Sequence, residues 1–320
     1  MGITFTGGMT FGGGMAFTAP GGGGGGTQQA IFGYGFGSQN ESITNKVSST
    51  GVVASDTTGV GTARAYLAAA GYGGDKAIFG YGYYAGSYWS MTNLVSNTGV
   101  VASDTAGVGT ARQFLAAAGY GGDKAIFGYG ETSYPSVQGM TNLVSNTGVV
   151  ANDTAQVGTA RGSLAAAGYG GDKAIFGYGA YYSPYTRLSI TNKVSNTGVV
   201  ASDTTGVGTT RLQLAAAGYG GDKAIFGYGY NGSISVTMTN LVSNAGVVAT
   251  DTTGVGTARN KLAAAGYGGD KAIFGYGVND SYTKLSMTNK VSNTGVVASD
   301  TTGVGTAREG LAAAGYSTTA

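Results

Sequence analysis

The sequence contains neither cysteine nor histidine, and this pair of absences removes many kinds of chemistry. Disulfides, thiolate and imidazole metal sites, Ser/His and Cys/His catalytic pairs and the usual near-neutral proton shuttle each need one or the other. A cysteine-free chain is also indifferent to redox poise, so its compartment stays open. Charge is scarce: 10% of residues are charged and the net charge is +2. No block of Lys or Arg makes the basic stripe that a phosphate backbone needs, which argues against nucleic acid and anionic membrane as partners. No apolar run approaches the roughly 20 residues of a membrane span, so membrane insertion is not expected. The N-terminus has no basic region, and Gly7, Gly8, Gly12, Gly13 and Gly14 interrupt its apolar stretch. The expectation is a protein made without a conventional signal peptide.

What the chain has in abundance is glycine, 63 of 320 residues. With no G-X-Y period and 42% apolar residues, neither collagen nor simple disorder fits. The glycines follow a repeat instead. Arg64, Arg112, Arg161, Arg211, Arg259 and Arg308 open six copies of a unit spaced 48 to 50 residues apart. From Arg112 the unit reads RQFLAAAGYGGDKAIFGYG, then a variable stretch, then MTNLVSNTGVVANDTAQVGTA. Self-similarity at that period marks a repeat architecture, and residues 29–320 are read as one such domain.

Within a unit no window has a helical period, while turn signals recur every 8 to 12 residues, so the fold class is all-β. Four strands are expected per copy. In the example unit they are Leu115 to Tyr120, Lys124 to Tyr129, Thr141 to Ser145 and Val149 to Thr154. Gly121-Gly122-Asp123 and Asn146-Thr147-Gly148 supply the hairpin turns, being rich in residues that tolerate positive φ. The triple alanine favours a helix by propensity, but flanking glycines leave too little length for one, and small side chains suit a crowded central axis.

The chain ends separate an open solenoid from a closed assembly. The first copy begins at Gln29-Ala30-Ile31-Phe32 without its LAAAGY strand, and the last stops at Tyr316 having only that strand. These fragments complete each other, which predicts a six-bladed β-propeller with four-stranded blades whose C-terminal strand, 311–316, closes the first blade.

The order Arg-x-x-apolar strand, short turn, apolar strand ending in glycines, variable loop and two further strands resembles the kelch repeat of kelch and galactose-oxidase-like propellers. The kelch double glycine stands here as Gly-Tyr-Gly, Gly128 to Gly130, and its outer Tyr and Trp as Val144 and Ala151. The resemblance implies that the loops bordering the first two strands line a partner-binding face. It does not bring the oxidase activity, whose copper ligands include histidine.

Residues 1–28 read as a glycine-rich tail and linker. Ile3-Thr-Phe5, Met9-Thr-Phe11 and Met15-Ala-Phe17 recur six residues apart, and apolar residues two apart share one side of an extended strand. Ile3, Phe5, Met9, Phe11, Met15 and Phe17 are therefore the candidate assembly residues, docking on other virion or fibre subunits. This tail resembles the low-complexity termini of bacteriophage virion proteins.

The copies differ in two windows. One follows each FGYG and reads FGSQNESI from Phe36, YYAGSYWSM from Tyr83, ETSYPSVQGM from Glu131, AYYSPYTRLSI from Ala180, YNGSISVTM from Tyr230 and VNDSYTKLSM from Val278. The other is the pair after each arginine. Antiparallel pairing of the first two strands puts both windows at one end of a blade. Their Tyr, Ser, Gly and Asn content, with the only tryptophan of the chain at Trp89, is the mixture that antibody loops use. The candidate ligand-binding residues are Tyr83, Tyr84, Tyr88, Trp89, Tyr134, Tyr181, Tyr182, Tyr185, Tyr230, Asn231 and Tyr282, with Tyr66, Phe114, Gln213 and Lys261 from the pairs.

The charges that recur in every full copy, at Arg112, Asp123, Lys124 and Asp153 in the example unit, read as structural ion pairs and turn caps, because catalytic constellations use one asymmetric set. No catalytic residue, metal ligand or cofactor is expected. A carboxylate-only glycosidase would have to draw on Glu41, Glu131, Asp280 and Glu309, the only acids in the variable windows. The expectation is a non-enzymatic virion adhesion protein, a tail fibre, spike or capsid decoration located on the virion or outside the cell, that binds a host glycan or protein receptor. A fibre or surface-layer subunit and a glycan-active enzyme are the alternatives.

Overall fold

The computed structural model describes residues 28–319, so the candidate assembly residues Ile3 to Phe17 and the glycine run lie outside the described part. Every regular element among the described residues is a β-strand. Six three-stranded antiparallel sheets recur, one per copy, with two short two-stranded hairpins. In the copy opened by Arg112 the strands are Ala116–Tyr120, Lys124–Gly128 and Thr141–Val144. The Gly121 and Gly122 turn carries φ of +63° and +81°, and Gly148 turns the next hairpin at +82°, conformations open to glycine at no steric cost. The Ala-Ala-Ala-Gly-Tyr segments are extended in all six sheets. They pack against one another in the cyclic order Ala68–Tyr72, Ala116–Tyr120, Ala165–Tyr169, Ala215–Tyr219, Ala263–Tyr267, Ala312–Ser317 and back to the first. Small side chains permit that approach: a Cβ on Gly119 would stand 3.3 Å from the Gly71 carbonyl oxygen.

The first sheet is built from both ends of the described chain. Ala312–Ser317 pairs with Gln28–Phe36 in the register Ala30 to Gly315 and Phe32 to Ala313, and Asn40–Val47 completes it.

The expected fourth strand is the main correction. Residues 149–154 form no strand and touch the third strand through an isolated bridge at Val144 and Val150 and a Thr154 N–H bond to the Thr141 carbonyl at 2.8 Å. Side chains add to these main-chain bonds. Asn142 Nδ2 donates to the Ala151 carbonyl at 3.0 Å and to Asp153 at 2.9 Å, while Asp153 accepts from the Thr110 amide and hydroxyl of the preceding copy at 2.9 and 2.6 Å. Main-chain and side-chain bonds together meet this segment's polar groups without a regular ladder. Burial alone would push Asp153 up, but the bonds from Thr110 and Asn142 hold its carboxyl below the usual range.

Neighbouring sheets lock through a repeated set of contacts. Tyr129 sits at φ +63° with its ring 5.1 Å from Phe176 of the next copy, and Gly128 makes room for that phenylalanine, since a Cβ there would lie 2.7 Å from Phe176 Cζ. The arginine spans the same seam. Arg112 is fully buried; its Nε donates to the Tyr129 carbonyl at 2.7 Å, its Nη2 to Asn142 Oδ1 at 2.6 Å, and its guanidinium lies 4.4 Å from the Tyr81 ring of the previous copy. Asp153 stands 3.7 Å from Nη1, too long for a hydrogen bond yet close enough to balance the charge. Arg308 makes the same contacts to Tyr34 and Asn45 across the chain ends.

Two cycles of main-chain hydrogen bonds run through the ends of the inner strands. At one end the N–H of Tyr66 donates to Gly310, Phe114 to Tyr66, Ser163 to Phe114, Gln213 to Ser163, Lys261 to Gln213 and Gly310 to Lys261, at 2.6 to 2.9 Å. At the other end the N–H groups of Gly73, Gly121, Gly170, Gly220, Gly268 and Ser317 each donate to the next sheet, to Asp123, Asp172, Asp222, Asp270, Gln28 and Asp75.

Removing Arg112 orphans two buried acceptors and leaves Asp153 without its counter-charge. Arg112→Ala is expected to lower unfolding stability by about 3–5 kcal/mol, with Arg112→Lys failing to restore it because one ammonium cannot reach both acceptors. Urea unfolding of the three proteins measures this, and a loss within 1 kcal/mol would refute the role given to the guanidinium.

Candidate functional site

The pair of residues after each arginine determines where the variable face lies. The first member bridges, main chain to main chain, to the first residues after FGYG: Ala65 with Tyr83, Gln113 with Glu131, Gly162 with Ala180, Leu212 with Tyr230, Asn260 with Val278 and Glu309 with Phe36. The two windows therefore meet in every copy. The second member turns the chain inward with positive φ, from +51° at Lys261 to +62° at Gly310. For Tyr66, Phe114, Ser163, Gln213 and Lys261 this is a left-handed conformation that side chains with a Cβ rarely adopt, at about 1–3 kcal/mol each. The cycle of main-chain bonds through these same six residues holds it.

At the centre they ring a cavity of about 90 Å³ floored by leucines such as Leu115 and Leu214. The Tyr66 and Phe114 rings pack at 4.4 Å, and Lys261 lies 5.8 Å from the Tyr66 ring centre while pairing with Glu309 at 3.2 Å. Burial, with the neighbouring Glu309 carboxylate, pushes the Tyr66 phenol up to about 12.

Around this centre the long windows are unequal. In the second copy the strands continue as a hairpin in which Tyr83 faces Tyr88 and Gly82 faces Trp89, the two tyrosine rings meeting at 5.4 Å. The third and fourth copies break off into separate hairpins, Glu131–Ser133 with Ser136–Val137 and Ala180–Tyr182 with Tyr185–Arg187. Tyr134 contacts Tyr182 at 5.7 Å, Tyr182 stacks on Tyr185 at 6.0 Å, and Arg187 lies 5.5 Å from the Tyr185 ring centre. Ser163 Oγ and the Tyr182 hydroxyl share a hydrogen bond at 3.2 Å. Tyr134, Tyr185, Tyr84 and Tyr181 are exposed, whereas Tyr182 is half-buried.

The remaining predicted residues fall on the other side. Tyr230 bridges to Ser235, Asn231 uses its side-chain oxygen to cap the amides of Ser233 and Ile234, and Tyr282 stands 88% exposed. Here polar groups satisfy one another: Asp280 accepts from the Ser235 amide and hydroxyl, and Asn260 donates to that hydroxyl.

Sequence reasoning did not single out Gln113, Ser163 or Arg187 as ligand contacts, and weighed Glu131 only as an acid. Glu131 is buried and accepts from Gln113 Nε2 at 3.3 Å; its burial pushes the carboxyl up, and the Gln113 bond only partly offsets this. The signal available was positional, since both belong to the windows that meet.

The opposite mouth is wider, about 590 Å³, and built from constant residues: Tyr72 and its equivalents, and Lys76, Lys124, Lys173, Lys223 and Lys271. Each lysine is bound by the aspartate before it, at 2.5 to 2.8 Å. The described chain enters at this mouth, at Gln28. Among the described residues no group of three or more His, Cys, Asp or Glu could hold a metal ion, and no helix is long and apolar enough to cross a membrane.

No family model matches this sequence, and no curated protein is similar to it.

Because burial raises the Glu131 carboxyl above its unfolded value of about 4.3, the native state is favoured while the group is protonated and loses stability as pH climbs through its folded pKa. Glu131→Gln is therefore expected to melt higher than the parent at pH 8 and close to it at pH 4. Thermal unfolding across that range measures the difference, and a gap that does not widen with pH would refute the assignment.

Proposed function

We propose that the six sheets are the blades of a closed β-propeller of kelch-like layout, and that the protein is a non-enzymatic adhesion module whose variable face holds an external ligand. The closed architecture is supported by the two cycles of main-chain bonds and by the first sheet, assembled from both ends of the described chain. The functional reading rests on one observation above all: the two windows in which the copies differ are brought together by bridges in every copy, at one end of the inner strands.

The distribution of polar contacts points the same way. The recurring Arg, Asn, Asp and Tyr groups are engaged in seams between sheets, which assigns them to the scaffold. The windows instead present exposed tyrosines, amphipathic rings that bind at low entropic cost. The setting we infer is a virion or extracellular fibre, with residues 1–27 as the anchoring segment. Entry of the chain at Gln28, on the mouth opposite the variable face, suits a module attached on one side and displaying on the other.

Replacing all six long windows by Gly-Ser segments of equal length tests this. Purified parent protein is expected to adhere to members of a panel of bacterial envelope preparations. The replaced protein is expected to keep its circular dichroism and lose adhesion. Adhesion that survives replacement would overturn the reading, as would a parent that adheres to none of the panel.

A further inference from the structure

The variable face is divided into two unlike halves. Four buried side-chain polar atoms among the described residues lack a hydrogen-bond partner: Trp89 Nε1, Gln113 Oε1, Arg187 Nε and Arg211 Nε. The last belongs to a seam between sheets, where its guanidinium lies 4.4 Å from the Tyr178 ring. The other three fall in the second, third and fourth copies, all within the variable windows. Gln113 is only 8% exposed and Arg187 lies close over Gly232, where a Cβ would clash with its guanidinium. An orphaned buried polar atom is costly, and native proteins keep few of them.

The same three copies carry the aromatic band. Tyr83 meets Tyr88, Tyr134 meets Tyr182, and Tyr182 stacks on Tyr185. On the other half, formed by the fifth, sixth and first copies, the polar groups are mutually satisfied through Asp280 with Ser235, Asn260 with Ser235 and Lys261 with Glu309. Orphaned donors and acceptors beside exposed rings describe a half built for a partner; the other half is self-sufficient.

The chemistry of that partner follows from the charge and the geometry. In the windows of the second to fourth copies the charged residues are Glu131 and Arg187, one of each sign, so nothing there favours a polyanion or a polycation. Exposed tyrosine rings such as Tyr134 and Tyr185, flat and apolar with one polar tip, suit a ligand that is apolar on its faces and rich in hydroxyls at its edges. The orphans comprise two donors and one acceptor, and a hydroxyl can serve either.

We propose that the band from Tyr83 to Arg187 is a binding site for an uncharged oligosaccharide, with the exposed Tyr134 and Tyr185 as stacking platforms and Gln113, Trp89 and Arg187 as hydroxyl partners. The inference rests on the adhesion reading above, and it narrows that reading to one ligand class and one half of the face.

The test is a printed array of neutral, sialylated and sulfated oligosaccharides probed with the full chain, followed by calorimetric titration of the strongest binder. Neutral members are expected to give the signal. Tyr134→Ala and Tyr185→Ala, both at exposed positions, are each expected to weaken binding about tenfold, and Tyr282→Ala, exposed on the other half, to leave it unchanged. Trp89→Phe, which keeps an aromatic ring and removes an unpartnered donor, is expected to weaken binding with little change in melting temperature; a merely structural tryptophan would show the reverse. Signal confined to sialylated or sulfated members would overturn the ligand class. Loss with Tyr282→Ala but not with Tyr134→Ala would overturn the location. An array without signal, from protein that still adheres to bacterial envelopes, would overturn the oligosaccharide inference and leave the adhesion reading standing; failure of both would remove both.

Discussion

The buried arginine at the head of each copy is the contact on which the rest of the structure depends. In all six copies it holds an asparagine of its own sheet and covers the tyrosine ring of the sheet before with its guanidinium, and in five of them its Nε also satisfies a backbone carbonyl. A side chain with rigid, forked donors and an aromatic-compatible face can do both at once; lysine cannot. The asparagine it holds also binds the aspartate that receives the preceding copy's threonine. Each seam thus carries a connected polar network, complete but for Arg211 Nε, and a buried network satisfied to that degree favours one packing among many. The Phe-to-Gly fit beside it adds apolar area and leaves no room for a side chain at Gly128.

That division of labour explains why the copies are nearly identical in some stretches and free in others. Residues in the seams must match the next copy, so a change in one copy would need a matching change in its neighbour. The window after FGYG and the pair after the arginine take no part in the arginine–asparagine–aspartate networks, and the bridges keep them in register with each other. Five of the six inward-turning residues carry side chains at positive φ. Strain of this sort persists where the surroundings enforce it, and it gathers at functional positions. The scaffold supplies the enforcement through the main-chain cycle, so the residue identity there can vary without cost to the cycle itself.

Variation has not been spread evenly. Aromatic rings and unpartnered polar atoms accumulate on one half of the face, and closed hydrogen-bond and ion pairs on the other. A sixfold repeat with one asymmetric half is how an otherwise symmetric framework can present a single directional site, in keeping with the proposed adhesion role.

The repeat, its all-β class, its turn positions and the complementary chain ends were legible in the sequence because they depend on local rules: glycine at positive φ, small residues in crowded strands, and a period visible by eye. So was the pairing of the two variable windows, which follows from antiparallel connectivity alone. Three things belonged to the tertiary structure. The expected fourth strand is an irregular segment held by a few main-chain bonds together with Asn142 and Asp153, and Asp153 reaches a threonine of the neighbouring copy 43 residues away, a contact that no local pattern encodes. The arginine's partners proved to be two carbonyls, an amide and a ring, with the carboxylate only at the margin, because charge in sequence says nothing about what lies across a seam. The uneven face was hidden as well: Tyr134 and Tyr182 sit on different copies, and only the packing of the sheets on one another shows which windows become neighbours and which polar atoms are left without partners.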